Sequence, residues 1–312
     1  MNIQQARRFG TKTLCANNTA TKSSSPALDA DVLLQHVLHC DKTFVLFHGE
    51  VVLSSEQESQ FKSAIALRNT GLPIAYITKN KEFYGLDFFI TPDVLIPKPD
   101  TELLVEYAVD VLKQKLAANP NLPLSVCDMC TGSGCVGISI LHEIIHANSI
   151  LDPAPIRMVL SDISEKALCV AQKNLSRLVP NDVHKHVHLV QGNLFSAVSG
   201  SFDLIVANPP YIPTHEVSLL LRDGRSEPIL ALNGDVDLLG NPSPKHDGLG
   251  IMQNLVPQAV QHLAPGGILA VETGEYNAEP TESLFKNAGL KNRHIEKDLS
   301  GSLRMVVGQK AE

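Results

Sequence analysis

The sequence predicts an α/β protein: a doubly wound, mostly parallel sheet preceded by a small helical domain and a β-hairpin linker. Three observations predict it. Up to about residue 75 the apolar residues recur at helical spacing. From Leu124 onward the short apolar runs "LSVCD", "IRMVLSD", "VHLVQGN" and "DLIVANPP" each run into Asp or Asn, with helical stretches after the first two. A Gly-rich segment, "GSGCVG", lies between the first of these runs and its helix.

Taken in order, Ile3 to Leu14 reads as a first helix. "ALDADVLLQHVL" places Leu28, Val32, Leu33 and Val37 on one face, and "SSEQESQFKSAIALR" opens with Ser55 and Glu58 at capping-box spacing. These helices form an expected domain over 1–75. "PIAYITKNKEFYGLDFFITPDVLIPKPDT" then alternates apolar and polar residues around the turn-prone "KNK" and "YGLD", which predicts a hairpin linker over 76–98. The main domain follows over 99–312. It opens with the helix "ELLVEYAVDVLKQKL", capped by Asp100 or Thr101. After the four runs, the helical "GLGIMQNLVPQAVQHL" leads into a further strand, "LAPGGILAVETG". "DVDLLGNPSPKHDG" reads as a mobile loop. In such sheets ligands bind beyond the carboxyl ends of the strands, where the polar residues ending the four runs gather.

Composition bounds the function. The 312 residues suffice for a full core, and 26 Lys and Arg against 33 Asp and Glu leave a net charge of −7. That balance lacks the basic excess of a protein held to nucleic acid through phosphates, so no direct nucleic-acid binding is expected. No apolar run approaches the roughly 20 residues needed to span a bilayer, and no signal-peptide pattern opens the chain. The six cysteines have no disulfide-framework spacing, which suits a reducing compartment. Cytoplasm is the expected location. A mitochondrial matrix is the alternative, because Arg7, Arg8, Lys12 and Lys22 precede the first acidic residue, Asp29.

Several motifs compete for the chemistry. "GSGCVG", Gly132 to Gly137, matches the dinucleotide fingerprint G-x-G-x-x-G, but nicotinamide dinucleotides, flavins and S-adenosylmethionine all use such loops, and a tight turn needs no ligand at all. Asp128 before the loop favours the third ligand, since a carboxylate there can face the amino end of a methionine moiety. Asp162, ending the next strand, can accept from both ribose hydroxyls. "HEIIH", His142 to His146, has the spacing of a zinc metalloprotease helix, with Glu165 as a nominal third ligand. It lies at the far end of its helix, away from the strand ends, so it reads as a solvated face. "CDMC", Cys127 to Cys130, has metal or redox spacing but no second pair. No metal is expected.

The specific signal is "NPPY", Asn208 to Tyr211, at the end of "FDLIVANPPYIP". Two prolines after an asparagine give a stiff corner, poor in donors and rich in acceptors. Beside a methyl sulfonium, such a corner suits a planar –NH2 group, whose lone pair is delocalised and must be aimed. The Asn208 side-chain oxygen and the Pro209 carbonyl can hold its two hydrogens, Pro210 stiffens the corner, and Tyr211 can stack on the flat group or wall the pocket. Glutamine or asparagine amides, adenine N6 and guanine N2 all remain open on this chemistry.

Together "PIAYITKNKEFYGLDFFITPDVLIPKPDTELLVE", the Gly-rich loop and "NPPYIP" resemble the protein-glutamine N5-methyltransferase family that modifies peptide chain release factors, the PrmC or HemK type. The resemblance spans most of the chain and implies a Rossmann-like class I methyltransferase fold. It implies methyl transfer from S-adenosylmethionine, leaving S-adenosylhomocysteine, to the glutamine amide of the Gly-Gly-Gln loop in class 1 release factors, with the N-terminal helices as docking domain and the enzyme a monomer. By the same resemblance, Asp128, Cys130, Thr131, Gly132, Ser133, Gly134, Asp162, Asn193, Leu194 and Asn208 hold the donor. Asn208, Pro209, Pro210 and Tyr211 carry catalysis and, with Glu227 and Pro228, line the substrate pocket. The sequence departs from the family at Cys130, usually glycine, at Lys98, commonly arginine, at Ser226, usually phenylalanine, and in an apparent insertion over 236–246. A cysteine can sit at 130 if its backbone angles there are ordinary. Two other readings remain: DNA adenine N6-methylation through a flipped base, and a non-catalytic donor-binding scaffold.

Overall fold

The computed structural model describes the whole chain except residues 18–20, 120–122, 148–155, 224–225, 238, 240 and 244. It divides into two compact units, one of residues 1–80 and 218–227, the other of residues 81–217 and 228–312.

The first unit is built on helices α1 (Ile3–Cys15), α2 (Pro26–Leu38), α3 (Lys42–Phe47), α4 (Ser55–Asn69) and α5 (Ile74–Thr78). Capping boxes start α1 at Asn2 with Gln5 and α4 at Ser54 with Gln57, so the α4 cap sits one residue before the expected pair. Its core gathers Ile3, Leu14, Leu33, Leu34, Phe61 and Ile65. The buried face of α2 departs from the apolar pattern: Leu28 is 52% exposed while Asp29 and Asp31 are buried. Ion pairs explain the inversion. Asp29 accepts from Arg68 Nε at 2.7 Å and from Ser23 Oγ at 2.6 Å, and Asp31 accepts from Arg7 Nε at 2.7 Å.

A short hairpin, β1 (Asn80–Phe83) and β2 (Leu86–Phe89), occupies only part of the span expected for it, because residues up to Thr78 belong to α5. The remaining elements are α6 (Glu102–Ala118), β3 (Leu124–Met129), α7 (Cys135–Ala147), β4 (Ile156–Asp162), α8 (Glu165–Leu178), β5 (Val187–Gln191), β6 (Phe202–Ala207), α9 (Thr214–Leu220), α10 (Gly250–His262), β7 (Leu263–Glu272), α11 (Ala278–Asn287), β8 (Lys291–Lys297) and β9 (Leu303–Gln309).

The seven-stranded sheet has the order β5-β4-β3-β6-β7-β9-β8. Its first five strands run parallel, and β9 and β8 are antiparallel additions. The chain moves outward one way through β4 and β5, then returns beside β3 to lay down β6 and β7 the other way. The reversal lies between β3 and β6, and it opens a crevice beyond their carboxyl ends. Cys127, Met129, Ile205, Ala207 and Val271 face one side of the sheet and pack with Leu255, Val256 and Phe285 into the main core. On α7, a Cβ at Gly137 would stand 2.4 Å from Leu160 Cδ2 and 3.0 Å from Asp128 Oδ2, so only glycine lets this helix approach the strands so closely.

Of the 236–246 segment, positions 238, 240 and 244 lie outside the described residues. The rest is tied to itself: Val236 bridges Pro242, Asp237 N–H donates to the Asn241 carbonyl at 2.9 Å, and Ser243 N–H donates to the Asp235 carbonyl at 2.8 Å. Buried Asp235 accepts from Gly248 N at 2.6 Å and Thr214 N at 2.9 Å, so hydrogen bonds anchor the base of the expected loop.

Candidate active site

A cavity of about 280 Å³ lies where the polar residues ending the strands converge. Its floor is the turn after β3. Thr131 N–H donates to the Ser161 carbonyl at 3.0 Å, Gly134 N–H to the Thr131 carbonyl at 2.8 Å, and Gly132 N–H to Asp162 Oδ2 at 2.8 Å. Asp128, Cys130, Thr131, Gly132 and Ser133 line the cavity, whereas Gly134 turns the chain into α7 and does not. Asn174, which sequence reasoning missed, holds this turn from behind: it is fully buried and donates to the Ser133 and Phe89 carbonyls at 2.9 and 3.0 Å while accepting from Phe89 N at 2.7 Å.

Two non-glycine residues in the cavity wall have left-handed backbone. Cys130 has φ +61° and Leu194 φ +49°. The condition of ordinary angles at Cys130 is therefore not met. The turn requires a conformation that glycine adopts freely and a Cβ disfavours, and the cysteine holds it under strain. Asn193, extended, lines the same wall beside Leu194.

Both carboxylates are tuned by burial. Asp128, 1% exposed, is pushed up to about 7 by burial, although Thr131 Oγ1 at 2.6 Å and Gly137 N at 2.9 Å both donate to its Oδ2 and oppose the rise. Asp162 is also raised by burial, against the donations of Ser164 and Gly132 N–H to its two oxygens. Burial likewise raises the Cys127 and Cys130 thiols well above their ordinary value. They are un-ionised at neutral pH, unlike reactive thiolates.

After β6, Asn208 and Pro210 line the cavity, while buried Pro209 does not. Asn208 Nδ2 donates to Thr101 Oγ1 at 3.2 Å, which leaves Oδ1 as its unengaged end. Thr101 stands at the start of α6 as expected, yet its side chain makes no capping bond and serves Asn208 instead. Tyr211 is not a lining residue either: its hydroxyl donates to Glu272 Oε1 at 3.3 Å. Glu272, 3% exposed at the end of β7, is raised to about 7 by burial, opposed by the Thr101 hydroxyl, Arg304 and Tyr211. Register explains the meeting. Ala207 pairs with Val271, so the next residues, Asn208 and Glu272, leave the sheet side by side. The sequence marks Thr101 only as a helix cap and does not mark Glu272, although Glu272 ends its strand on an acid as Asp162 ends β4. Pro228 lines the cavity, whereas Glu227 is buried and does not.

The HEIIH motif lies outside the cavity wall, whereas Asp128, Met129 and Cys130 of CDMC line it. His142 and His146 stack at 4.0 Å between ring centroids, with Glu143 paired to Lys113 at 3.2 Å. Among the described residues no helix is long and apolar enough to cross a membrane.

Comparison with known proteins places this geometry in a family. Residues 5–78 match the PrmC N-terminal domain and residues 104–223 the methyltransferase small domain. Among solved structures, the hMettl16 catalytic domain in complex with a MAT2A 3′UTR hairpin superposes with a TM-score of 0.51 at 13% identity, covering 85% of each chain, a likeness of fold alone. The release factor glutamine methyltransferase of Escherichia coli (strain K12) is 32% identical over 92% of this chain and 93% of its own. That of Koribacter versatilis (strain Ellin345) is 33% identical over 99% of both. With identity at this level sustained from end to end, through the helical unit and the sheet alike, the chain belongs to the release factor glutamine methyltransferases.

Proposed function

We propose that this protein transfers a methyl group from S-adenosylmethionine to the side-chain amide nitrogen of the glutamine in the Gly-Gly-Gln loop of class 1 peptide chain release factors. The observation that carries the reading is the Asn208 amide, tied back to Thr101 through Nδ2 so that an acceptor oxygen remains for a substrate –NH2 at the cavity.

The residues present fit the donor. The turn over 130–133 lies against the cavity, Asp128 offers a buried carboxylate to an ammonium, and Asp162 keeps acceptor capacity beyond its two backbone bonds. Bound there, S-adenosylmethionine supplies a methyl group made electrophilic by its sulfonium. Asn193 and Leu194 wall the adenine end. Asn208 Oδ1 and the backbone carbonyl of Pro209, which stands between the lining residues Asn208 and Pro210, would accept the two amide hydrogens and so aim the nitrogen lone pair; the N–C bond would form as the methyl–sulfur bond breaks, its electron pair left on the neutral thioether of S-adenosylhomocysteine and one amide proton passing to solvent. An amide nitrogen is a weak nucleophile, and positioning is what these residues contribute. The helical unit docks the release factor, and the enzyme works as a monomer in the cytoplasm.

The test is labelled methyl transfer to a purified class 1 release factor and to one whose Gly-Gly-Gln glutamine is replaced. Label in the first alone is the expected result. Label in neither, with donor binding shown separately, overturns the proposal.

A further inference from the structure

Asn174, fully buried on α8, has hydrogen-bonded partners that leave no doubt which end of its amide is which. A backbone N–H can only donate and a backbone carbonyl can only accept. Asn174 Oδ1 receives the Phe89 N–H at 2.7 Å, while Nδ2 donates to the Phe89 carbonyl at 3.0 Å and to the Ser133 carbonyl at 2.9 Å. Both amide hydrogens are used. No other side chain of this length carries two N–H donors beside a carbonyl acceptor, and an aspartate here would turn an oxygen towards two carbonyls.

These partners belong to two different stretches of the cavity's construction. Ser133 lies in the turn after β3. Its carbonyl precedes the α7 ladder, which opens with Ile138 N–H donating to the Gly134 carbonyl at 2.9 Å, and Asn174 supplies its donor instead. Phe89 ends β2, and four residues further on the chain becomes cavity wall through Asp93, Val94, Leu95, Pro97 and Lys98. Towards Phe89 the amide acts as a neighbouring strand would, bonding the N–H and the carbonyl of one residue together. Helix α8 is placed for this. A Cβ on Gly134 would stand 3.3 Å from Ala171 Cβ, and Ala171 and Asn174, three residues apart, share the helix face that leans on the turn. Lys173 holds the same strand end a second time, with its Nζ 3.5 Å from the centroid of the Phe89 ring.

We propose that Asn174 is a positioning residue for donor binding, a tie that sets the spacing between the turn over 130–133 and the linker wall over 93–98. It makes no donor contact of its own, since it lies outside the cavity wall. The inference rests on the donor site assigned above and is independent of which group accepts the methyl.

The test is calorimetric titration of S-adenosylmethionine into wild type, Asn174→Ala, Asn174→Asp and Lys173→Ala, each also followed by thermal melting. Asn174→Ala removes the tie, and its Kd rises about tenfold, the equivalent of one net hydrogen bond. Asn174→Asp keeps the shape and loses at least as much, because an oxygen now faces the two carbonyls. Lys173→Ala leaves all three amide bonds in place, and its Kd stays within about twofold of wild type. With release factor as acceptor, saturating donor returns the kcat of Asn174→Ala to within about twofold of wild type at an unchanged KM for release factor, a split that general loosening of the fold does not produce. A Kd for Asn174→Ala within about twofold of wild type, an equal rise in Lys173→Ala, or a loss of kcat that saturating donor does not repair overturns the inference. So does an Asn174→Ala protein with no cooperative melt, which assigns the residue to folding. Wild type that binds no S-adenosylmethionine removes the donor site and this inference with it, whereas wild type that binds donor but labels no release factor removes only the proposed acceptor, and the titrations still decide.

Discussion

Gly132 N–H donates to Asp162 Oδ2 across 2.8 Å, so the end of β4 holds the turn that follows β3. One carboxylate thereby has two tasks, shaping the turn and offering acceptor capacity at the cavity. Asp162→Asn can keep one acceptor oxygen but not the ionic pull on both amides. We expect donor affinity to fall by roughly tenfold to a hundredfold, the range of one or two hydrogen bonds to a charged group, with little change in melting temperature. Calorimetric titration with S-adenosylmethionine measures it, and an unchanged Kd counts against the assignment.

Cys130 at φ +61° makes a second prediction, about stability. Glycine accepts this backbone without strain but loses more chain entropy on folding, and the two effects nearly cancel at about 1 kcal/mol each. Cys130→Gly should thus fold with nearly wild-type stability. A β-branched side chain has no such compensation, and Cys130→Val should cost about 1–3 kcal/mol. Urea unfolding of the three proteins decides it; equal midpoints for Gly and Val variants would contradict the strained turn.

How much of this was legible follows from burial. Strands β3, β4 and β6 are covered on both faces, so they appear in the sequence as continuous apolar runs, and the reversal between them places the site. Strand β8 has the opposite character: it is the sheet edge, "KNRHIEK", largely exposed and charged, and periodicity does not reveal it. The paired acids of α2 were hidden because their arginine partners lie far away in sequence. In the site, NPPY and the Gly-rich turn were readable as local motifs. Thr101 looked like a helix cap, and its bond to Asn208 spans 107 positions that no local pattern records.

Asp128 links donor binding to pH. Burial holds its carboxyl at about 7, so in the free protein it is largely protonated below neutrality. A bound ammonium favours the ionised form and lowers that value, so binding releases a proton below pH 7. Donor affinity should weaken as pH falls from about 7 to 5.5, by at most tenfold per pH unit, and level off above 7.5. Folding alone has the opposite sign. Asp128 and Glu272, both raised to about 7, bind protons more tightly folded than unfolded, so their contribution to the stability of the donor-free protein falls as pH rises between about 4 and 7. Calorimetry across pH 5.5–8 checks the first sign. Asp128→Asn should bind more weakly at pH 8 and lose the slope; a slope retained in that variant places the titration elsewhere.

Asn208→Ala separates holding the donor from using it. The substitution removes the Oδ1 acceptor at the cavity and leaves the turn over 130–133 and Asp162 intact. Thr101 loses one incoming hydrogen bond, so the stability cost stays near 1 kcal/mol. Turnover responds differently. An amide nitrogen attacks only when its lone pair is aimed, and losing one preorganised hydrogen bond at a reacting group costs about a hundredfold to a thousandfold in kcat. The expected variant therefore binds S-adenosylmethionine with a nearly wild-type Kd, melts close to wild type, and transfers methyl to the release factor at under about 1% of the normal rate. If its kcat instead stays within a few-fold of wild type, the substrate amide is held by the backbone alone, and the asparagine serves the shape of the corner rather than the chemistry.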